Sequence, residues 1–222
     1  MTNNFSNRRT RAALVLAGVP ALATGLVLGL GGGADASSAN ASERTAAQPA
    51  VELVNLLQPA DIDDAFRVSS AIRSVVSAGN GSYGMSACTG EEQMGDVVGK
   101  AANYFYGVYT ARAAATNTKF TVDQNVADQS SAKRAATKYA FIVRQVRGCQ
   151  HEPAGHWRYG VAHRLTIGAG TATWMTTTNG DGTSAGGIVV ALSGRHLAVA
   201  EGNLGAAPAI RRLAVDTLRQ LR

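Results

Sequence analysis

The 222-residue chain carries 21 Lys and Arg against 15 Asp and Glu, a formal net charge of +6 at pH 7, and two cysteines. With a leader set aside, the remainder is long enough for one compact domain and short for two. The positive charge comes without a basic run interleaved with aromatics and without a helix-turn-helix pattern, which argues against nucleic acid as a partner.

Arg8, Arg9 and Arg11 precede a small and apolar run from Ala12 to Leu30, which breaks at Gly31-Gly32-Gly33. That is the anatomy of an export signal. Ala34-Asp35-Ala36 and Ala39-Asn40-Ala41 offer the small-x-small pattern of a cleavage site, and no cysteine follows the run to accept a lipid. The expectation is a signal peptide over 1–36, cleaved to leave a secreted, extracellular protein with no integral span. The run approaches the roughly 20 residues of a membrane span, so an uncleaved N-terminal anchor is the competing reading; Gly18, Pro20 and Gly25 weaken it. Residues 37–50, "SSANASERTAAQPA", have almost no large apolar side chain to offset the ordering of their backbone, and read as a disordered tether. The folded domain is expected over 51–222.

In "VELVNLLQPADIDDAFRV" the apolar spacing predicts one or two short helices, with Asp61 capping the second after Pro59. Asp61, Asp63 and Asp64 resemble the start of a calcium loop but lack its glycine and distant glutamate, so capping explains them better. "NYFYGVYTARA" and "KFTVDQNVA" read as strands. In the second, Phe120, Val122, Gln124 and Val126 alternate with Lys119, Thr121, Asp123 and Asn125, which predicts one buried face. After Ser130-Ser131, helical spacing of Ala132, Ala135, Ala136, Tyr139, Val143 and Val146 predicts a helix that ends at Gly148-Cys149.

"HWRYGVAHRLTI" alternates as one strand. Trp157, Tyr159, Val161, His163, Leu165 and Ile167 fall on one face, and Arg158 and Arg164 fall on the other. His163 is then expected to be buried. "GTATWMTTT", "GGIVVALS" and "RHLAVAEG" add three strands, and Pro208 opens a last helix through Leu221. Short turns between neighbours predict an α+β fold, a central mainly antiparallel twisted sheet flanked by helices in a single domain with one disulfide.

Cys88 and Cys149, an even pair in an exported chain, are expected to form that disulfide. In "GCQHEPAGHWRYG", His151 and His156 are separated by Pro153 and Gly155 and cannot share a helical face, so no metal site is expected there, and no cofactor elsewhere. "GTSAG", residues 182–186, matches the nucleophile elbow of hydrolases with Ser184 as nucleophile. It precedes a strand where the elbow requires a helix, and His196 precedes Asp216, the reverse of the expected order. Trp157, Tyr159 and Trp174 read as core more than as pocket lining. Charge is uneven: residues 37–132 hold 6 basic and 10 acidic side chains, residues 133–222 hold 12 and 4. Arg158, Arg164, Arg211, Arg212 and Arg219 are the candidate contacts to a ligand or anion, because a guanidinium fork can bind two oxygens at once.

The cysteine in "SACTGEEQM", the segments "GVYTARA" and "FTVDQNVADQSSAKRAATKYAFIVRQVRGC", a Trp-bearing strand and the late "GGIVVALSGRHLAVAEG" together resemble the PknH-like extracellular sensor domain family of actinobacterial exported proteins, from near Leu53 to the end. The resemblance implies a sheet flanked by helices, a cleft for an unknown ligand, a bridge between the positions of Cys88 and Cys149, and no catalytic residues. The chain departs from that family in lacking a second cysteine pair, a lipobox and an attached kinase. The sequence therefore predicts a secreted, extracytoplasmic ligand-binding or sensor-like module without catalysis, whose partner is a small molecule or an anionic component of the cell envelope. The alternatives are a secreted serine hydrolase using Ser184 with His196 or His163, and an envelope-associated protein that binds anionic polymer or lipid.

Overall fold

The computed structural model describes residues 50–68, 71–76, 103–113, 116–153 and 155–222. The expected signal peptide over 1–36, the tether to residue 49 and Cys88 lie outside the described residues. No helix among the described residues is long and apolar enough to cross a membrane.

A single 3-10 turn at Leu53–Asn55 leads into α1, Pro59–Phe66. Asp61 does not cap α1 in the way expected. Gln58 is the N-cap, and Asp61 reaches back from the third helical position to accept the Gln58 N–H at 2.7 Å. Pro59 needs no N–H partner in the first turn, which is why the helix starts there.

Strand β1, Ile72–Val76, follows and pairs with β2, Asn103–Arg112. The sequence did not announce β1: it is a five-residue edge strand whose sequence, IRSVV, does not alternate apolar with polar residues, and Ile72 is 69% exposed. Next come β3, Lys119–Asp128, and α2, Ala132–Gly148, whose N-cap Ser131 Oγ accepts the Arg134 N–H at 3.2 Å. Strands β4, Arg158–Tyr159, β5, His163–Ile167, β6, Gly170–Thr178, β7, Ser184–Ser193, and β8, His196–Gly202, complete the sheet, and α3, Ala207–Gln220, closes the chain. The sheet order is β1-β2-β3-β8-β7-β6-β4, with β5 also on β6, and every described pairing is antiparallel.

Helices cover both faces of this sheet. On one, α1 with the segment before it and α3 bury Leu57, Ile62, Ile210, Leu213 and Leu218 against Tyr109, Phe120, Val122 and Trp174. On the other, α2 buries Ile142, Val143 and Val146 against Tyr159, Met175, Leu197 and Val199. Successive residues of β7 alternate between the two cores: Ile188 and Val190 face α2, Val189 and Ala191 face α3. A strand covered on both sides reads as a continuous apolar run. The expectation of a single buried face on β3 is corrected accordingly, since Asn125 and Ala127 are buried opposite Phe120, Val122 and Val126. On α2 the helical stripe held at Ala135, Val143 and Val146, but Ala132 and Ala136 are exposed and Ile142 is buried.

The expected single strand over "HWRYGVAHRLTI" is two strands with opposite facing. Tyr159 pairs with Thr177 and His163 with Trp174, so four steps along one chain oppose three on β6. One extra residue inverts the side on which all later side chains stand. Val161 is therefore 71% exposed, and His163 is exposed and stacked on Trp174 with ring centroids 4.3 Å apart, not buried. Tyr159 faces α2, whereas Leu165 and Ile167 face α3.

Candidate functional site

Two segments meet above the α3 face of the sheet. The 52-to-58 stretch is latched to the sheet by Gln124, which is fully buried on β3: its Oε1 accepts the Leu57 N–H at 2.7 Å and the Tyr109 hydroxyl at 3.2 Å. Tyr109 Oη also lies 2.5 Å from Leu57 O, and Arg73 Nη1 donates to the same carbonyl at 3.0 Å. Burial raises the Tyr109 phenol well above its ordinary range, so it stays a neutral donor. Asn55 Nδ2 donates to Gln220 O at 2.7 Å, and Gln220 Nε2 to Asp61 Oδ2 at 3.1 Å, which docks α1 on the end of α3.

Between α1 and the start of α3 this arrangement leaves an open cleft of about 630 Å³. Its floor is apolar, made by Phe66, Val68, Phe120 and Leu204, with the Phe66 and Phe120 rings 5.0 Å apart. Its rim is cationic: Arg67 at the left-handed C-cap of α1, and Arg211 and Arg212 from α3. Arg212 is committed within the fold, to Asp64 and, through Nε at 3.0 Å, to Asp216. Arg67 and Arg211 are exposed and have no carboxylate partner among the described residues. The N-cap of α3, Ala206, has no side-chain oxygen to offer, so the positive end of the helix dipole adds to the same field.

The structure separates the five candidate arginines. Arg211, Arg212 and Arg219 stand on the exposed side of α3, as the stripe Ile210, Leu213, Ala214 and Leu221 required, but Arg219 Nη1 is taken by Asp216 at 3.1 Å. Asp216 is itself almost fully buried, and burial raises its carboxyl pKa despite the two guanidinium groups that pull it down. Arg158 pairs opposite Thr178 and Arg164 opposite Thr173. These positions of β6 have opposite parity, so the two arginines do not share a face, contrary to the alternation in the sequence. Arg67 was missed because only the tertiary fold brings the end of α1 to α3.

Ser184 opens β7 and its hydroxyl donates to Gly205 O at 3.0 Å. His196 pairs with Ser193, at the opposite end of β7, about 30 Å away at roughly 3.3 Å per strand residue. His163 is stacked on Trp174, which pairs with Val189 further along β7. No Ser184–His couple is assembled by either histidine. The motif's second glycine has a structural cause instead: Gly186 has φ of +95° and abuts Gly202. In the 148-to-160 stretch, His156 Nδ1 lies 3.4 Å from Glu152 Oε2, and no three metal-ligating side chains converge among the described residues. Trp157 packs edge-on to Tyr159 at 4.7 Å, and Tyr159 and Trp174 are buried, so these aromatics serve the core. Cys149 is buried beneath α2 and no free cysteine stands among the described residues; no complete bridge is seen there, since Cys88 lies outside them.

No protein-family model matches the chain, and no curated protein matches it. Among solved structures, the fold is similar to that of the extracellular domain of PknH from Mycobacterium tuberculosis, with a TM-score of 0.51 and 12% identity over 75% of this chain and 92% of that one. At that identity the likeness is one of fold, and it agrees with the fold implied by the sequence motifs.

Proposed function

We propose that this chain is an extracytoplasmic, non-catalytic ligand-binding module of the sensor type, and that its ligand enters the cleft between α1 and α3. The proposal includes export through the signal over residues 1–36 and a tether over 37–50. The observation that carries it is the composition of the cleft: an apolar floor of Phe66, Val68, Phe120 and Leu204 under a rim where Arg67 and Arg211 have no carboxylate partner among the described residues. Pockets of several hundred Å³ with apolar lining and a few convergent polar groups are the usual form of small-molecule sites. An apolar floor and cationic rim suit an amphipathic anion, with its tail on the phenylalanines and its carboxylate or phosphate on the arginines. The fold likeness to an extracellular domain supports the same compartment.

Native mass spectrometry of protein purified from its own host tests this directly. An amphipathic anion should co-purify, and R67S/R211S should lose it while keeping the parent's circular dichroism. A ligand retained fully by R67S/R211S places the site elsewhere. Turnover of ester or peptide substrates that disappears in Ser184→Ala would replace the reading with a hydrolase.

A further inference from the structure

We infer that the groove between α2 and β5 is a second binding site, for a phosphate-type oxyanion, on the opposite face of the sheet from the α1–α3 cleft. The groove has a volume of about 440 Å³. Tyr139, Arg144 and Arg147 of α2 form one wall, Arg164 of β5 the other, and Thr173 of β6 lies between them.

The register fixes this geometry. Arg164 is opposite Thr173, and Thr173 Oγ1 is 2.7 Å from Tyr139 Oη, so the side chains of that pair stand on the α2 side. Arg164 Nε donates to Thr171 Oγ1 at 3.2 Å, which orients the guanidinium and leaves its other four N–H donors available. Arg144 and Arg147 are three residues apart and therefore neighbours on the surface of α2. Arg144 lies over the Phe141 ring at 5.9 Å, a contact that holds the stem while the edge of the fork stays open.

The groove gathers three guanidinium groups with no acid among its lining, whereas the α1–α3 cleft includes Asp64. None of the three arginines is ion-paired among the described residues. The whole of α2 bears Lys133, Arg134, Lys138, Arg144 and Arg147 and not one acid. Three arginines elsewhere do have carboxylate partners: Arg195 has Asp128, Arg212 has Asp64 and Asp216, and Arg219 has Asp216. Three guanidinium groups around one groove repel each other, and a bound anion would relieve that repulsion. Each fork can hold two oxygens, so the set suits a tetrahedral group with three or four oxygens better than a carboxylate with two. The hydroxyls of Tyr139 and Thr173 stand at the floor as further hydrogen-bonding groups. The same chemistry is offered by a free phosphorylated small molecule and by a phospholipid head group.

Both sources can be tested on the whole exported chain. In one arm, isotope-labelled protein is titrated with inorganic phosphate and with glycerol 1-phosphate while amide shifts are followed. In the other, it is sedimented with phosphatidylcholine vesicles with and without phosphatidylglycerol. Shifts clustered at 139–147, 162–164 and 173 identify a free phosphate ligand, and sedimentation only with phosphatidylglycerol identifies a head group. In either arm R144S/R147S/R164S should weaken binding by roughly tenfold or more, as loss of charge-assisted hydrogen bonds requires. R112S/K119S/R222S, which removes equal charge from exposed sites outside the groove, should bind like the parent. The inference is overturned if neither probe binds, if the shifts map away from the groove, or if the two triple variants weaken binding alike. Because R67S/R211S leaves this groove intact, failure here and failure of the α1–α3 reading are separate results.

Discussion

Gly186 sits directly against Gly202: a Cβ built on Gly186 would lie 1.9 Å from the Gly202 carbonyl oxygen and 2.7 Å from Leu204 N. Its φ of +95° is also in the region that favours glycine. The clash is with backbone, which has no rotamer to escape into. Gly186→Ala should therefore destabilise the domain by roughly 3 kcal/mol or more, since strain and steric overlap act together. Denaturant unfolding checks this, and a variant within about 0.5 kcal/mol of the parent would contradict the close approach of β7 and β8.

Arg195 Nη2 and Asp128 Oδ2 are 2.6 Å apart, with Asp128 fully buried at the end of β3. Removing the guanidinium leaves a carboxylate without its counter-charge in the interior. Arg195→Met should cost about 3 kcal/mol, and the double change Arg195→Met with Asp128→Leu should recover much of it, because the penalty belongs to the unpaired charge. A double variant no more stable than the single one would show that the pair is worth more than its isolated charge costs.

If Cys88 and Cys149 are bridged, as compartment and parity lead us to propose, a non-reducing peptide map will show them linked. Closing a loop of this length restricts the unfolded chain by about 4 kcal/mol in the chain-entropy picture. Reduction should lower the unfolding midpoint accordingly. Quantitative labelling of both thiols in natively exported protein would exclude the bridge.

Asp216 gives the domain a distinctive acid response. Burial raises its pKa above the ordinary 3.8, so the native state holds this proton more tightly than the unfolded chain does. Its contribution to stability is then greatest below the unfolded value and is lost as pH rises through the folded one. Asp123, also raised by burial, acts in the same direction. The stability of the parent relative to Asp216→Asn should decline with rising pH across the mildly acidic range; a difference that stays flat would show that Arg212 and Arg219 fully offset the burial.

Much of the architecture was legible because local periodicity carries it. β2, β3, β6, β7 and β8, with α2 and α3, fall where alternation, helical spacing, Ser131 and Pro208 place them. Segments whose pattern depends on a neighbour were not legible. β1 has no apolar-polar alternation in its sequence, and the one-residue offset of β4 and β5 against β6 appears only in the pairing, yet it sends Arg158 and Arg164 to opposite faces.

The sequence by itself determined the composition of this protein's surfaces: an acid-free α2, an α3 with its arginines outside the apolar stripe, and a Ser184 motif without the helix its chemistry would need. Only the tertiary structure decided which charges meet. Arg67 comes to Arg211 because α1 docks on α3, while Arg164 comes to Arg144 and Arg147 because an extra residue turns it toward α2. Periodicity fixes the side of its own element on which a side chain stands, but long-range packing and strand register decide what faces that side.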